Sequence, residues 1–165
     1  MFNDRSIEKI RDLLLSRSQT VSTAESVTAG LLQAALSSAD KALQFFEGGI
    51  TAYNINQKVR HLGIDKKEGE DCNCVSRNIA IDMARGACRL FASDWGISVT
   101  GYATTVPESD YKLFAYYAIC QGMDVCDSGR LDLHDENRYR HNFITLTTYS
   151  TGSAKSWRKK STEFY

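Results

Sequence analysis

The sequence of 165 residues is most simply one domain, because a chain of this length can bury a core without disulfides or metals. Its 20 basic and 20 acidic residues cancel at pH 7, so no overall field favours a nucleic acid or an anionic membrane as partner. No apolar run approaches the roughly 18 residues of a membrane span and no secretory signal is visible, so we expect a cytoplasmic protein. The five cysteines are odd in number and lack C-x-x-C spacing, so we expect free thiols. Cys72 and Cys74 could instead bind a metal or form a strained redox pair.

The N-terminal part of the chain alternates helix and strand patterns. Apolar residues recur at spacings of three, four and seven over 6–17, which predicts an amphipathic helix. The stretch 19–30 then predicts a strand, to which the β-branched Val21 and Thr23 are suited, turning sharply into a second helix. A serine at such a turn commonly caps the exposed backbone N–H groups, so an N-cap is one interpretation of Ser26.

A second strand and a third helix follow. Residues 46–52 are apolar and β-prone, and the Gly48–Gly49 pair within them indicates the close approach of another backbone. Asn54 or Asn56 can cap the next helix, which we expect to end at Gly63.

The remaining elements are predicted from their apolar, glycine and proline positions. In order, we expect a charged loop over 65–73, a helix over 76–91, a strand over 95–101, a loop over 102–110, strands over 112–120 and 123–133, and a terminal helix over 135–160. The last two strands are joined by a turn at Gln121–Gly122 and are expected to be antiparallel. Alternation of helix and strand followed by a hairpin predicts a mixed sheet with helices on both faces.

Three of the predicted strands each end in a turn of polar and small residues. These residues are Glu25, Ser26 and Thr28 in the first turn, Tyr53, Asn54 and Lys58 in the second, and Thr100, Gly101 and Thr104 in the third. If the three strands are parallel, their carboxyl ends share one edge of the sheet, where open α/β folds bind ligands. We therefore expect Ser26, Tyr53 and Lys58 to meet there.

These three side chains suit nucleophilic catalysis. A serine hydroxyl becomes a good nucleophile when a neighbour takes its proton, and a lysine can do so once its pKa falls well below about 10. The helix dipole at Lys58 supplies only about 0.3–1 kcal/mol of that shift, so burial must supply more. Tyr53 could relay the proton or stabilise an oxyanion, as could backbone N–H groups over 27–30. In the simpler alternative, Tyr53 ends a strand with its ring half-buried and Lys58 lies on a solvated helix face.

At these residues the chain resembles the C-terminal domain of the CinA family, the nicotinamide-nucleotide amidase family. The resemblance runs from about residue 5 to about residue 120 and includes four motifs in order. They are Thr23-Ala-Glu-Ser-Val-Thr-Ala-Gly30, then Gly48-Gly-Ile-Thr-Ala-Tyr53 continuing to Lys58, then Val75-Ser76 with Ala80, Met83-Ala84 and Gly86-Ala87, and finally Ser98-Val-Thr-Gly101.

The resemblance implies one domain over 1–165, a three-layer α/β/α sandwich around a mixed, mostly parallel five-stranded sheet, and a homodimer. It implies hydrolysis of the carboxamide of nicotinamide mononucleotide to the acid and ammonia by Ser26, Tyr53 and Lys58, with no cofactor and no metal. Around these residues we expect the nucleotide to be bound by Glu25, Thr28, Ala29, Gly30, Gly48, Gly49, Thr100, Gly101 and Thr104. No nucleic acid or membrane partner is expected.

Two departures from the family pattern bear on the substrate. Val27 and Ala29 stand where the family has a cysteine and a glycine, and a side chain at position 29 narrows the backbone anion site. The third turn, 100–107, keeps Gly101, but Thr104 stands in place of the family's second glycine, the proline is displaced to Pro107, and the glycine-rich loop that follows in the family is absent. Two alternatives therefore stay open: a catalytically silent relative that binds a nucleotide or a protein partner, and an amidohydrolase whose substrate is not a nucleotide.

Overall fold

The computed structural model describes residues 4–133, which form a five-stranded sheet with helices on both faces. In chain order the elements are α1 (Asp4–Ser16), β1 (Val21–Glu25), α2 (Leu31–Ser37), β2 (Phe46–Thr51), α3 (Ile55–Gln57), which continues as a π-helix (Lys58–Leu62), α4 (Lys66–Asp71), α5 (Arg77–Phe91), β3 (Trp95–Gly101), β4 (Leu113–Gln121) and β5 (Asp124–Leu133). Short 3₁₀ turns lie at Ala42–Gln44 and Pro107–Ser109. The predicted terminal helix over 135–160 lies outside the described residues. Within 4–133, no helix combines the length and the apolar character needed to cross a membrane.

The first three strands run parallel, and the last two add an antiparallel hairpin to one side of them. The strand order is β2-β1-β3-β4-β5. β1 pairs in parallel with both of its neighbours, so that Glu25 lies opposite Thr51 of β2 and Val99 of β3. β4 is antiparallel to both β3 and β5. The mixed sheet is confirmed, and the carboxyl ends of β1, β2 and β3 share one edge with β1 in the middle.

Neighbouring side chains of the sheet pack against different helices, which gives the molecule three layers. Ile97 belongs to an apolar cluster with Ile10 of α1 and Leu36 of α2. The next residue, Ser98, donates its hydroxyl hydrogen to the carbonyl of Ala80 in α5. Because successive side chains of a strand point to opposite faces, α1 and α2 cover one face and α5 covers the other.

Close packing of α5 holds the π-helix in place. α5 begins at its cap Ser76, whose hydroxyl oxygen accepts from the Ile79 N–H over 3.1 Å. Gly86 faces the end of the π-helix, where a Cβ atom would lie 2.4 Å from the carbonyl oxygen of Leu62. Leu62 and Met83 are fully buried in one cluster. The segment that follows β2 is therefore fixed against the face of the sheet that α5 covers.

One predicted loop contains a helix. The charged stretch 65–73 predicted a loop, whereas most of it is α4. Asp65 caps this helix by accepting from the Glu68 N–H over 2.8 Å, a short-range signal that the loop prediction overlooked. Gly69, which favoured a loop, is buried where a Cβ atom would lie 3.0 Å from the Ile55 side chain. This glycine therefore serves packing rather than a turn.

The Gly48–Gly49 pair is approached closely, as predicted, but by side chains. A Cβ atom at Gly48 would lie 2.9 Å from the Phe91 ring, and one at Gly49 would lie 2.2 Å from Thr23 Oγ1. The prediction that another backbone makes the approach was wrong. The two glycines face opposite sides of the sheet, and each leaves room for a side chain of a neighbouring element.

Candidate active site

The carboxylate of Glu25, the last residue of β1, caps α2. It accepts hydrogen bonds from the N–H groups of Gly30 (3.1 Å), Leu32 (3.0 Å) and Gln33 (2.8 Å). It also accepts from the Thr28 hydroxyl over 2.5 Å. Glu25 is fully buried, and a carboxylate at a helix N-terminus is stabilised by both these donors and the helix dipole. Glu25 and Thr28, predicted to bind substrate, are thus engaged in holding the first turn of α2.

Ser26 does not cap α2, so that interpretation was wrong. The N-cap residue is Gly30, which has no side chain to offer, and the helix begins at Leu31. Five residues, 26–30, separate β1 from α2, and no side chain caps the helix at its N-cap position. The carboxylate of Glu25 supplies the acceptors instead.

The backbone N–H groups of this turn are only partly available for an oxyanion. The Ala29 N–H donates to the Ser26 carbonyl over 3.2 Å, and the Gly30 N–H donates to a carboxylate. Among residues 4–133, the N–H groups of Val27 and Thr28 have no acceptor. The predicted set over 27–30 therefore narrows to these two donors. Ala29 is exposed and has φ 52°, a left-handed conformation that costs a side-chain-bearing residue about 1–2 kcal/mol.

Ser26 lies in the middle of the shared strand edge. Its N–H donates to the Val99 carbonyl over 3.0 Å, so pairing with β3 continues one residue beyond β1. Ala24 packs on the side of the sheet that α5 covers, and alternation along the strand places the Ser26 side chain on the same side. Ser26 is 6% exposed, and its hydroxyl makes no hydrogen bond to any residue of 4–133. The hydroxyl is thus available to a substrate or a base.

Lys58 is buried, and its side chain reaches across the same edge of the sheet. The residue is 3% exposed, and its Nζ donates to Thr100 Oγ1 over 3.4 Å. The Thr100 hydroxyl donates in turn to the Cys74 carbonyl over 2.7 Å. Lys58 follows β2 and Thr100 belongs to β3, so the lysine side chain passes the end of β1, where Ser26 lies. The alternative of a solvated helix face was wrong for Lys58.

Burial lowers the pKa of Lys58 below the ordinary value of 10.5, because desolvation disfavours the ammonium ion. Ionised Cys74 or Cys72 would act in the opposite direction. Burial also raises the pKa of the Cys74 thiol, so that the thiol stays protonated near neutral pH. Within the described residues no carboxylate pairs with Lys58. Burial therefore shifts the equilibrium of Lys58 towards the neutral amine, the form that can accept a proton.

A cavity of about 540 Å³ opens beside Lys58. Its lining consists of Tyr53, Asn54, Ile55, Lys58, Gly69, Glu70, Asn73 and Cys74. Tyr53 is 72% exposed, so its ring stands at the surface of this cavity and is not half-buried as the simpler alternative expected. Ser26 is not part of the lining. The structure thus brings Lys58 and Tyr53 to one cavity, and Lys58 towards the strand end that carries Ser26.

The other predicted substrate-binding residues have diverse surroundings. Gly48 and Gly49 pack within β2 as described above. Gly101 ends β3, where a Cβ atom would lie 2.4 Å from the Phe114 carbonyl oxygen. Thr104 is exposed. Their contact with a substrate stays a prediction.

The sequence-based interpretation missed Asn73 and Cys74 as parts of this site. Both residues have left-handed backbone conformations, with φ 50° and 55°. Asparagine tolerates this conformation better than other side chains do, which is a weak sequence signal, whereas cysteine provides none. Both Cys72 and Cys74 are free thiols. No cluster of three or more histidine, cysteine or carboxylate side chains suited to a metal lies in the part of the chain that the structure describes.

Comparison with known proteins identifies the family. The model of the CinA C-terminal domain family matches residues 3–116. A CinA-like protein of Picosynechococcus sp. is 42% identical over 101 residues, which are 61% of this chain and 24% of that protein. A putative competence-damage inducible protein of Streptococcus agalactiae serotype III is 39% identical over 101 residues, with the same coverage of 61% and 24%. The chain spans about a quarter of the length of these curated relatives.

Solved structures show the same fold at lower sequence identity. The competence damage-inducible protein A of Klebsiella pneumoniae superposes with a TM-score of 0.86 at 20% identity, over 93% of this chain and 97% of that one. A CinA superfamily protein of Klebsiella pneumoniae 700603 gives a TM-score of 0.84 at 20% identity, over 92% and 96% of the two chains. With more than half of its residues matched by the family model, the chain belongs to the CinA C-terminal domain family.

Proposed function

We propose that this chain is an amidohydrolase acting on nicotinamide mononucleotide or a related amide. Ser26 Oγ attacks the carboxamide carbon while its proton passes to the amine of Lys58. As the tetrahedral intermediate collapses, the leaving nitrogen takes the proton held by Lys58 and departs as ammonia, which leaves an acyl ester on Ser26. Water then hydrolyses the ester to the carboxylic acid and restores the serine.

The observation that carries this proposal is the buried amine of Lys58, which has no carboxylate partner among residues 4–133. A lysine that is 3% exposed normally has a carboxylate partner, but here the acceptor is a threonine hydroxyl at 3.4 Å. Such an environment stabilises the neutral amine, which is the form a general base needs. The Lys58 side chain runs from the segment after β2 to Thr100 of β3, and the end of β1 lies between these two strands. That strand end carries the proposed nucleophile.

Two features support the remaining parts of the mechanism. The Val27 N–H follows the nucleophile directly and, with the Thr28 N–H, supplies donors for an oxyanion. Tyr53, at the cavity, is placed to donate a hydrogen bond to the substrate or to the departing amine. The cavity volume of about 540 Å³ falls within the range of about 300–1,000 Å³ that is usual for sites of small ligands.

The test is an ammonia-release assay on nicotinamide mononucleotide with two pairs of variants. Ser26→Ala should lower kcat/KM by at least about 1,000-fold, since no other group supplies the nucleophile. Ser37→Ala, which alters an exposed serine near the C-terminal end of α2, is its matched control and should retain full activity. Tyr53→Phe should show an intermediate loss, and the exposed Tyr111→Phe should show none. Turnover that survives Ser26→Ala would contradict the assigned mechanism.

A binding protein without catalytic activity is the second candidate. The Nζ atom of Lys58 is hydrogen-bonded to Thr100, and no hydrogen bond between Lys58 and Ser26 occurs among the described residues. A chain of this kind would be stabilised by its nucleotide without consuming it, by about 2.7 kcal/mol at 100 times the Kd. Thermal unfolding with nicotinamide mononucleotide and with its acid, beside the ammonia assay, separates the two candidates. Release of ammonia from nicotinamide but not from the nucleotide would instead favour a non-nucleotide substrate.

A further inference from the structure

The hydroxyl of Thr100 lies between a fixed backbone carbonyl and the amine of Lys58. Thr100 is fully buried in β3. Its single hydroxyl hydrogen is directed to the Cys74 carbonyl oxygen at 2.7 Å. A hydroxyl has one hydrogen and two lone pairs, so what it presents to Lys58 Nζ at 3.4 Å is an acceptor. Lys58 must therefore donate an N–H to Thr100.

The carbonyl that holds this hydroxyl is itself rigidly placed. Asn73 and Cys74 both adopt left-handed conformations, at φ 50° and 55°. Each costs roughly 1–2 kcal/mol, which persists only where surrounding contacts impose it. Those contacts include the hydrogen bond from the Cys74 N–H to the Gly69 carbonyl at 2.8 Å and that from the Val75 N–H to the Cys72 carbonyl at 2.9 Å. The turn therefore aims the Cys74 carbonyl at Thr100.

We propose that Thr100 is a positioning residue, which holds Lys58 Nζ as a hydrogen-bond donor and so directs the nitrogen lone pair away from β3 and towards Ser26. The proposal rests on the proposed function, in which Lys58 takes the proton of Ser26. A neutral primary amine has two N–H hydrogens and one lone pair. Fixing one N–H on Thr100 restricts rotation about the last bond of the side chain. The lone pair then points at the proton that it must accept, rather than sampling all orientations.

The charge of Lys58 depends on the same contact. Titratable groups that face the amine or its cavity are Cys72 and Cys74 from the turn after α4, Glu70 from α4, and Tyr53 from the segment before α3. Thr100 contributes a neutral acceptor, which stabilises the ammonium form more than the amine. Removal of the Thr100 hydroxyl should therefore lower the pKa of Lys58 further, beyond the effect of burial.

The first experiment compares Thr100→Val, which has nearly the same shape, with Thr100→Ser, which keeps the hydroxyl. In the ammonia assay, Thr100→Val should lower kcat by about 10- to 100-fold with less than a 3-fold change in KM, as expected for misorientation of a base. The acidic limb of its pH profile should move to lower pH. Thr100→Ser should restore both kcat and the limb to within about 3-fold and a few tenths of a pH unit. A Thr100→Val enzyme with unchanged kcat and profile would overturn the proposal.

A second measurement works whether or not the protein hydrolyses an amide. Lysine Cε–Nζ resonances of the full chain are followed with pH by NMR, and the Lys58 signal is assigned by its loss in Lys58→Met. The pKa of Lys58 should be lower in Thr100→Val than in the wild type and restored in Thr100→Ser. If Thr100→Val does not fold, Thr100→Ala takes its place, since it also lacks the hydroxyl and places no methyl group against the Cys74 carbonyl. An unchanged Lys58 pKa in a folded variant without the hydroxyl overturns the positioning role. An absence of ammonia release by the wild type, with the pKa shift present, contradicts only the proposed function.

Discussion

Two buried ionisable side chains lie near the same sheet edge, and their surroundings differ sharply. The carboxylate of Glu25 receives four hydrogen bonds, three of them from the backbone N–H groups of α2 and its cap. The amine of Lys58 has one acceptor, at the long distance of 3.4 Å. Glu25 points to the face covered by α2, whereas Lys58 lies on the face covered by α5. A fully satisfied buried charge stabilises a fold, whereas an under-satisfied one keeps the capacity to react.

The largest expected effect is the loss of activity in Lys58→Met. With the proposed base removed, ammonia release should fall by at least about 1,000-fold, equivalent to roughly 4 kcal/mol in the barrier. The free energy of unfolding at pH 7 should stay the same or rise, because methionine fills similar volume without a charge to desolvate. Urea unfolding and the ammonia assay on one preparation provide both numbers. The exposed Lys9→Met is the matched control and should change neither.

Glu25→Ala should show the opposite pattern, with a loss of stability of about 3 kcal/mol or more. Three backbone N–H groups of the first turn of α2 lose their acceptor, and each unsatisfied buried donor costs about 1–3 kcal/mol. Glu25→Gln should cost less, since its amide oxygen still accepts. Urea unfolding, with the exposed Glu8→Gln as control, measures the difference. If Glu25→Gln abolished activity at full stability, Glu25 would belong to the site and the contrast with Lys58 would disappear.

The pH dependence of the free energy of unfolding should reveal the cost of burying the charge of Lys58. Its pKa is below 10.5 in the folded chain and near 10.5 in the unfolded chain, so between these values the unfolded state binds more protons. The contribution of Lys58 to the free energy of unfolding therefore rises with pH across that window. It is fully present above pH 10.5 and is lost as the pH falls through the folded-state pKa. The slope is at most about 1.4 kcal/mol per pH unit.

Subtracting the free energy of unfolding of Lys58→Met from that of the wild type at each pH removes the contributions of the other titrating groups. The wild-type free energy of unfolding minus that of the variant should increase from pH 7 to pH 10. If the difference did not change with pH, burial would leave the pKa of Lys58 at its ordinary value. Lys58 and Glu25 would then differ in their hydrogen bonds but not in the cost of burying their charge.

The smallest expected effect is a gain of about 0.5–1 kcal/mol in Ala29→Gly. Ala29 has φ 52°, and glycine adopts this conformation without the steric cost of a Cβ atom, although its greater freedom in the unfolded chain offsets part of the gain. Thermal unfolding measures the change, with the exposed helical Ala34→Gly expected to destabilise. A loss of stability in Ala29→Gly would show that the Cβ atom makes a compensating contact.

Most of the secondary structure could be predicted, because its signals are local. The apolar spacing over 76–91 predicted α5, which begins one residue later, at Arg77, and ends at Phe91 as expected. Asn54 caps α3 as one of the two predicted candidates, accepting from the Gln57 N–H over 3.1 Å. The helix α4 within 65–73 could not be predicted from apolar spacing. It is only 6 residues long and charged almost throughout, so it has no apolar periodicity to detect.

The candidate site could be predicted only as a set of turns. The parallel strands and the meeting of three turns at one edge followed from the alternation of elements. The role of Glu25 as the acceptor for α2 could not be predicted, because its hydrogen bonds reach 5 to 8 residues along the chain through a turn whose path was unknown. Because the path of this turn was unknown, Ser26 was interpreted as the cap.

The sequence by itself determined the order of the five strands, most of the helices between them, the turns that end the parallel strands and the three candidate catalytic side chains, because each signal depends on residues within a few positions of one another. Tertiary structure decided the surroundings of those side chains. The burial of Lys58, its contact with Thr100 at a separation of 42 residues, and the strained turn at Asn73 and Cys74 arise only when distant segments pack. A pKa responds to that packing, and no local pattern of residues encodes it.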